Sequence, residues 1–304
     1  MKPYDFALYA LVLVGWSTSW LPLKWQVGEI APEVSLTWRF AIAGSLLMVI
    51  TWQSGRRLHL QPLEHAMALA IGVFLFSTNY FFFYTGAVVL PSGLLAVVFA
   101  SASLINLFYS ALIFRAPIAT RDLLASALGF SGIIMLYWPE IVREAAALPV
   151  LAALGLCVLG TLSFCSGNMV STAAQRRGLP IMGSTAWAML YGAGLMLAMS
   201  LIRGQQLSIE FTWQYIGGGL WLAVFGSVIA FTAYLTLLGR IGASRAAYAT
   251  VLFPPIALGL SSLFEGYQWT VSALFGLPLV LIGIVLINQT RKRHAPAGEK
   301  INEP

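Results

Sequence analysis

Charged residues are scarce in this chain of 304 residues: Asp, Glu, Lys and Arg together make up only 9% of it. Soluble globular proteins contain about 25% charged residues, whereas 59% of this chain is apolar. The composition excludes a disordered chain, a soluble enzyme and a nucleic-acid module, and it indicates a polytopic membrane protein. Since a spanning helix needs about 20 mostly apolar residues, the length allows about ten spans. The net charge of +6 is expected to reflect membrane topology rather than a nucleic-acid partner.

Motifs for catalysis, nucleotide binding and metal binding are also missing. No Walker loop, HExxH or CxxC motif is present, and the three histidines are scattered. The two cysteines, Cys157 and Cys165, are eight residues apart in one apolar run. On a helix this spacing separates them by about 12 Å, too far for a disulfide. The sequence therefore predicts no catalytic residue, no metal site and no cofactor.

Ten apolar runs, separated by short loops with turn residues, organise the chain. Their residues are continuously apolar and do not alternate as barrel strands do, so we expect helices. Residues 291–304 form a polar tail. The approximate spans are 6–23, 34–52, 65–87, 92–114, 121–138, 149–173, 181–202, 213–238, 243–264 and 270–289.

Lysine and arginine are distributed unevenly between the two sets of loops. With the N-terminus placed in the cytoplasm, the inner segments hold 13 of these residues and the outer side holds 4. Basic residues concentrate in the cytoplasmic loops of bacterial membrane proteins. The sequence therefore predicts a bacterial inner-membrane protein with both termini, including the tail, in the cytoplasm.

The two halves of the chain resemble each other weakly. We expect a first repeat over 1–145 and a second over 146–290. Because five helices are an odd number, the second repeat must be inverted, as in many secondary transporters. The sequence thus predicts an all-α integral membrane protein with ten transmembrane helices in two inverted five-helix repeats. The matches are Trp38 with Trp187, Tyr84 with Tyr234, and Gly132 with Gly283, at offsets of 149, 150 and 151.

Several short motifs in both halves resemble the drug/metabolite transporter superfamily, EamA-type branch. The similarity is strongest to the amino-acid exporters of that family, including the aromatic amino-acid exporters. It implies ten helices around a central cavity, with helices 5 and 10 peripheral, and outward movement of metabolites. The motifs are Gly15-Trp16-Ser17, Trp38-Arg39-Phe40, Tyr84, Leu90-Pro91-Ser92-Gly93, Gly167-Asn168, Ala233-Tyr234, Arg240-Ile241-Gly242-Ala243, Pro254 and Leu263-Phe264-Glu265-Gly266.

Ionisable residues are missing from the middles of helices 3 to 10, where such groups are costly and usually functional. Arg39, in helix 2, is the deepest charge. It has two interpretations: snorkelling to the outer interface, which the sequence favours, and a charge facing the cavity or a gate. The absence of a mid-membrane carboxylate disfavours a proton antiporter, and the lack of basic residues disfavours a carrier of phosphorylated compounds. The expectation is an uncharged passage for a zwitterionic, neutral or amphipathic cargo.

Side-chain amides, hydroxyls and deep aromatic rings are the candidates for a substrate cavity or gate. For serine the alternative is helix packing, and for the aromatic rings it is the core. For asparagine, structural hydrogen bonding is an equal alternative. Thr18, Ser103 and Ser227 are further polar candidates at mid-depth. The candidates are Trp16, Ser17, Trp20, Asn79, Tyr80, Tyr84, Ser101, Asn106, Ser163, Asn168, Trp187, Tyr191, Tyr234 and Tyr248, with Pro254 and Pro255 as a hinge or a static kink.

The resulting functional hypothesis is an alternating-access secondary transporter. It would export amino acids or similar uncharged or zwitterionic metabolites across the bacterial inner membrane, and it would not be an enzyme. Its partners would be the small-molecule substrate and the lipid bilayer, without nucleic acid. The alternatives are a carrier of another neutral solute, such as a purine, drug or sugar, and a less favoured lipid-modifying membrane enzyme.

Overall fold

The computed structural model describes residues 3–114, 120–143, 147–241 and 249–294, and every regular element within these ranges is a helix. This confirms the predicted all-α class. Proline starts or precedes several helices, where its missing N–H costs nothing. The helices of the first half are α1 (Pro3–Ser17, continued by Trp20–Trp25), α2 (Pro32–Gln53), α3 (Pro62–Val73, Phe74–Thr78 and Asn79–Ala87), α4 (Ser92–Ala100 and Ala102–Phe114) and α5 (Thr120–Arg143).

The second half repeats this organisation. Within the described residues, seven helices are long and apolar enough to cross a membrane, and shorter apolar stretches lie in the three others. The described part of the chain therefore supplies ten helical segments, as the apolar runs predict. Those of the second half are α6 (Ala147–Arg176), α7 (Ile181–Ile202), α8 (Trp213–Trp221, Leu222–Ile229 and Ala230–Ile241), α9 (Ala249–Phe264) and α10 (Val271–His294).

Helix pairing relates the two halves. α2 packs against α7, α4 against α9, and α5 against α10, so each of these helices contacts its own counterpart in the other half. The remaining helices exchange partners, because α1 packs on α8 while α3 packs on α6. Five-helix units of opposite topology related by a two-fold axis in the membrane plane produce this pairing. The predicted boundary between the halves falls at residues 144–146, which lie outside the described residues.

Two wide π turns interrupt counterpart helices. In α3 the interruption covers Phe74–Thr78, and in α8 it covers Leu222–Ile229. A π turn replaces the usual hydrogen bonds by longer i→i+5 bonds and occurs frequently at functional sites. Both helices therefore carry backbone groups in the membrane core that differ from those of a regular helix.

Irregular backbone also marks α4 and α9. In α4 the helix breaks at Ser101, which ends the segment Ser92–Ala100. In α9, Pro254 and Pro255 lie inside the helix, where proline removes a backbone donor and bends the axis. The counterpart helices thus both depart from regular backbone hydrogen bonding, one at Ser101 and the other at its two prolines.

Glycine allows α5 and α10 to touch through their backbones. A Cβ atom on Gly132 would lie 2.5 Å from the carbonyl oxygen of Gly276 and 2.7 Å from the amide nitrogen of Val280. Contacts this short exclude any side chain at Gly132. Small residues at such crossings let membrane helices approach closely.

Candidate functional site

A cavity of about 40 Å³ lies inside the bundle, between helices of the first half and α8 of the second. Its walls are mostly aromatic, with a few polar groups, as is usual for small-molecule sites. Trp16, Trp20, Asn79 and Tyr80, all predicted from the sequence, are among the residues that line it. The lining comprises Trp16, Ser19, Trp20, Leu23, Arg39, Asn79, Tyr80, Phe83, Phe99, Leu222 and Phe231.

Arg39 is the charged residue of the cavity lining. Its side chain is only 2% exposed. Nε donates to Oγ of Ser227 at 3.1 Å, and Nη1 donates to the hydroxyl of Tyr84 at 3.4 Å. The guanidinium carbon lies 4.2 Å from the ring centroid of Tyr80, a cation–π arrangement. These partners come from α3 and α8 and hold the charge inside the protein.

Two expectations from the sequence are corrected by this geometry. The favoured interpretation of Arg39, snorkelling to the outer interface, is wrong, because Ser227, Tyr84 and Tyr80 surround its guanidinium. The expected uncharged passage is also wrong, because Arg39 lines the cavity. The reason is the direction of the side chain: it extends sideways toward α3 and α8 instead of along α2 to the membrane surface.

Asn79 supplies a second polar group to the cavity. Its amide nitrogen donates to the carbonyl of Leu75 at 3.4 Å. Its side-chain oxygen is buried and has no hydrogen-bond partner among the described residues. A buried acceptor without a partner is costly, so a bound molecule with an N–H or O–H group would satisfy it.

Three rings form one aromatic wall. Trp20, Phe83 and Phe99 contact each other pairwise, with centroids 5.5 to 5.6 Å apart and edge-to-face geometry. Edge-to-face pairs at this distance add to the stability that burial provides. Because these rings come from α1, α3 and α4, they tie together three helices of the first half on one side of the cavity.

A second aromatic cluster is centred on Trp16. Its ring lies 4.8 Å from Tyr234, 5.1 Å from Phe231 and 6.1 Å from Phe164. Tyr234, predicted as a gate residue, also accepts a hydrogen bond at 3.4 Å from Asn168. The cluster joins α1 to α6 and α8, and it therefore connects the two halves.

The π turn of α8 presents polar groups to both α1 and α2. The carbonyl of Gly226 accepts a hydrogen bond from Nε1 of Trp16 at 3.3 Å, and Ser227 accepts the one from Arg39. The π turn of α3 is held in the same manner from α6. Ser163 donates to the carbonyl of Phe74 at 2.9 Å. The predicted candidate Ser163 thus contacts this turn and does not line the cavity.

Other predicted residues also lie outside the cavity lining. Ser17 is buried, and its hydroxyl has no hydrogen-bond partner among the described residues. Ser101 donates to the carbonyl of Val98 at 2.6 Å, and Asn106 is buried. Tyr248 lies outside the described residues.

Trp187 and Tyr191 form a separate cluster with Leu58, in the loop between α2 and α3, and with His65, near the start of α3. Nε1 of Trp187 donates to the carbonyl of Leu58 at 3.0 Å, and the hydroxyl of Tyr191 lies 2.8 Å from Nδ1 of His65. The rings of Trp187 and Tyr191 stack 5.8 Å apart. Both residues are therefore remote from the cavity lining and close one end of the bundle.

That end, which also holds the start of α1 and the end of α8, is called here the N-terminal end. There Nε of Arg240 donates to the carboxylate of Asp5 at 2.9 Å. Because Asp5 is in α1 and Arg240 in α8, this ion pair joins the two halves at the N-terminal end.

The opposite end of the bundle is closed by further cross-links. The amide and hydroxyl of Ser92, at the first turn of α4, both donate to the carboxylate of Glu265, which follows α9. An acceptor at a helix N-terminus satisfies unpaired amides there. Lys24 donates to the carbonyls of Ala87 and Leu90. These contacts join α1, α3, α4 and α9.

Ser19, Phe83, Phe99 and Phe231 line the cavity but were not among the residues predicted from the sequence. Phe83 could have been found, because it lies four residues after Asn79 and therefore on the same helical face. The same spacing could have pointed to Ser19, three residues after Trp16, and to Phe231, three residues before Tyr234. In the part of the chain that the structure describes, no group of three or more His, Cys, Asp or Glu could hold a metal.

Comparisons with known proteins agree with this architecture. The model of the EamA-like transporter family matches two segments, residues 6–138 and 151–289. The uncharacterized inner membrane transporter YedA of Escherichia coli K12 is 29% identical and covers 94% of this chain and 91% of its own length. The uncharacterized transporter YvbV of Bacillus subtilis is 27% identical, over 97% of this chain and 95% of YvbV.

A solved crystal structure shares the fold. It superposes with a TM-score of 0.72, at 14% sequence identity, over 97% of this chain and 100% of the other. Protein PecM of Dickeya dadantii is a further relative, 25% identical over 94% of this chain and 92% of its own length.

Proposed function

Since the chain belongs to the EamA-like transporter family, we propose that it is an alternating-access secondary transporter that exports amino acids or closely related metabolites. The family and the names of the relatives identify transporters. The chain is a multi-pass membrane protein of this family. The substrate class, the direction and the inner-membrane location are our proposals.

The cavity between the two halves is the observation that carries the proposal. Aromatic rings form most of its walls, while Arg39, Asn79 and Ser19 supply polar groups. Secondary transporters built from inverted repeats bind their substrates near the membrane midplane, at the interface of the repeats. A molecule with one polar end and an apolar or aromatic side chain, such as a neutral amino acid, suits this lining.

Contacts between the two halves are present at both ends of the bundle, from Asp5 to Arg240 at one end and from Ser92 to Glu265 at the other. The cavity volume of about 40 Å³ holds about three water molecules, which is less than an amino acid occupies. Binding therefore requires side chains or helices to move apart. We propose that Tyr84 and Tyr234, which occupy equivalent positions in the two halves, close the two ends of the passage in turn.

The distribution of basic residues supports the orientation. With 13 of 17 lysines and arginines in the segments at the N-terminal end, we propose that this end faces the cytoplasm of a bacterium. Substrate would first pass the Asp5–Arg240 pair and then the Trp16 cluster. It would leave past the Glu265–Ser92 contact at the periplasmic side.

Counterflow in proteoliposomes tests the proposal. The purified protein is reconstituted, the vesicles are loaded with an unlabelled amino acid, and uptake of the labelled form is followed. We expect transient accumulation for at least one neutral or aromatic amino acid. Accumulation only of a purine, a sugar or a drug would favour the carrier of another neutral solute. No accumulation of any of these would contradict the proposal.

A further inference from the structure

Arg39 is unusual because its charge is buried in the spanning region without an acidic partner. The side chain is 2% exposed. Within the described ranges, no carboxylate forms an ion pair with it. Buried cations in membrane helices are rare, and most pair with another group or mark a substrate pathway. The ion pairs observed elsewhere are Arg57–Glu64, Arg203–Glu33 and Arg240–Asp5.

The neighbours of Arg39 leave part of its hydrogen-bonding capacity unused. A guanidinium has five N–H donors and no acceptor. Among the described residues, the guanidinium donates one hydrogen to Oγ of Ser227 and one to the hydroxyl of Tyr84. Its other N–H groups are therefore the ones that a molecule bound in the cavity can use.

The space beside Arg39 is the cavity itself, since Arg39 is among the residues that line it. Gly226 packs tightly next to the guanidinium, and a Cβ atom there would lie 2.7 Å from Oγ of Ser19 and 3.4 Å from Nη2. A side chain at Gly226 would therefore collide with Ser19 and crowd the guanidinium. Tyr80 covers one face, with its ring centroid 4.2 Å from Cζ. The planar group is thus fixed in orientation and able to bind two oxygens at once.

We infer that Arg39 binds the carboxylate of the transported molecule, and that the carboxylate is the group by which the cargo is recognised. The inference rests on the proposed function in taking the cavity as the substrate site. Arginine and carboxylate form paired, parallel hydrogen bonds. An amino group on the cargo is not required, because no carboxylate of the described residues lines the cavity to bind it.

Charge balance separates three classes of cargo. The side chains lining the cavity carry one positive charge, since arginine stays protonated. A monocarboxylate neutralises that charge. A zwitterion binds through the same carboxylate but leaves its ammonium group to the neutral Asn79 oxygen and the ring faces. A cationic amine brings a second positive charge into a low-dielectric site and is excluded.

The rest of the lining defines the body of the cargo. Trp16, Trp20, Phe83, Phe99 and Phe231 surround the cavity with ring surfaces. Such surfaces favour an aromatic or branched apolar group. The class of cargo is therefore small monocarboxylates with an apolar or aromatic body, and it includes neutral amino acids as one case.

A purely structural role for Arg39 makes a different prediction. Arg39 connects α2 to Tyr84 in α3 and to Ser227 in α8, so its loss will reduce stability in any case. An arginine that only connects helices gives no reason for the protein to bind an acid more tightly than an amine of the same shape. An arginine that binds the carboxylate of the cargo makes the unmodified protein prefer the acid.

Thermal denaturation of the purified full-length protein in detergent separates the two roles. The probes are 3-phenylpropionate and phenethylamine, which share the ring and chain length and differ in the charged end. We expect 3-phenylpropionate to raise the denaturation temperature with a saturable dose dependence, and phenethylamine to have no effect. In Arg39→Gln the apparent Kd for the acid should increase at least about tenfold, and Arg39→Lys should be intermediate.

Arg57→Gln is the matched control. Arg57, in the loop between α2 and α3, pairs with Glu64 in the first turn of α3, outside the cavity, and its side chain is 45% exposed. This variant should bind 3-phenylpropionate as the unmodified protein does. If Arg39→Gln does not fold, two measurements still distinguish recognition from a structural role: the affinity of Arg39→Lys for the acid, and the comparison of acid with amine on the unmodified protein.

Three results would overturn the inference: equal stabilisation by the amine, no stabilisation by the acid, or unchanged affinity in Arg39→Gln. Counterflow distinguishes failure of the inference about Arg39 from failure of the proposed amino-acid transport. Accumulation of labelled L-phenylalanine that persists in Arg39→Gln would remove the inference and leave amino-acid transport standing. Arg39-dependent binding of 3-phenylpropionate without any amino-acid counterflow would retain the inference and remove amino-acid transport.

Discussion

Gly132→Ala tests whether backbone contact between α5 and α10 sets the stability of this pair. The added Cβ would lie 2.5 Å from the carbonyl oxygen of Gly276, whereas ordinary contact begins at 3.4 Å. The nearest atoms belong to backbone, so no side chain can turn away. The two helices would have to separate by about 0.9 Å along this contact.

The expected change in the free energy of unfolding of Gly132→Ala follows from two opposing effects. Overpacking of this kind costs about 1–3 kcal/mol, while alanine is about 1 kcal/mol better than glycine within a helix. Gly155→Ala in α6 is the matched control, because a Cβ there meets nothing within 4 Å. The difference between the two variants therefore isolates the packing cost. It should be about 1–3 kcal/mol, with Gly132→Ala the less stable.

Thermal denaturation in detergent measures this difference. At about 2–4 °C per kcal/mol for chains of 150–250 residues, Gly132→Ala should denature several degrees below Gly155→Ala. Substrate counterflow per folded molecule should be unchanged, because none of the described residues of α5 and α10 lines the cavity. Equal or higher stability of Gly132→Ala would refute the packing argument.

Four further variants probe the two ends of the passage. Tyr84→Ala and Tyr234→Ala each remove a ring beside the cavity and should change the counterflow rate severalfold, while the Phe variants stay near the original rate; unchanged rates in both Ala variants would exclude gating. Asp5→Asn should lower the free energy of unfolding by at most about 1 kcal/mol, because the Arg240 side chain is 39% exposed. The exchanged pair, Asp5→Arg with Arg240→Asp, should restore the lost stability, and its failure to do so would argue against a direct ion pair. Glu265→Gln should cost about 1 kcal/mol through weaker capping of α4, and unchanged denaturation would contradict the capping role.

The sequence predicts the fold well because membrane burial acts on every residue of a span. Continuous apolar runs give the helices, and the drifting offset between Tyr84 and Tyr234 or Gly132 and Gly283 indicates the repeat. The π turns of α3 and α8 could not be predicted. They depend on contacts with other helices, such as the bond from Trp16 to the Gly226 carbonyl.

The candidate site is harder to predict, because depth along a helix does not determine which way a side chain faces. Arg39 lies seven residues after Pro32, the first residue of α2, or about 10 Å along the helix. At that depth an arginine can reach either the surface or the interior. The deciding partner, Ser227, is 188 residues away in the chain, and no local pattern links the two.

Spacing within one helix also fails to predict which aromatic residues line the cavity. Trp16 and Trp20 share a face of α1 and both line the cavity. Trp187 and Tyr191 have the same spacing in α7, yet they contact Leu58 and His65 at the N-terminal end. The difference is one of packing partner, which spacing within one helix does not encode.

The wide turns of α3 and α8 have a consequence for how the cavity can change shape. A π turn accommodates one residue more than an α turn, so tightening it to an α turn would rotate the following segment by about 100° about its axis. In α3 such a rotation would move Tyr80 and Tyr84, which follow the turn, relative to Arg39. In α8 the same change would act on Ser227, which lies within the turn and accepts a hydrogen bond from Arg39. A change of helical register in either half would therefore alter the contacts of the same charge.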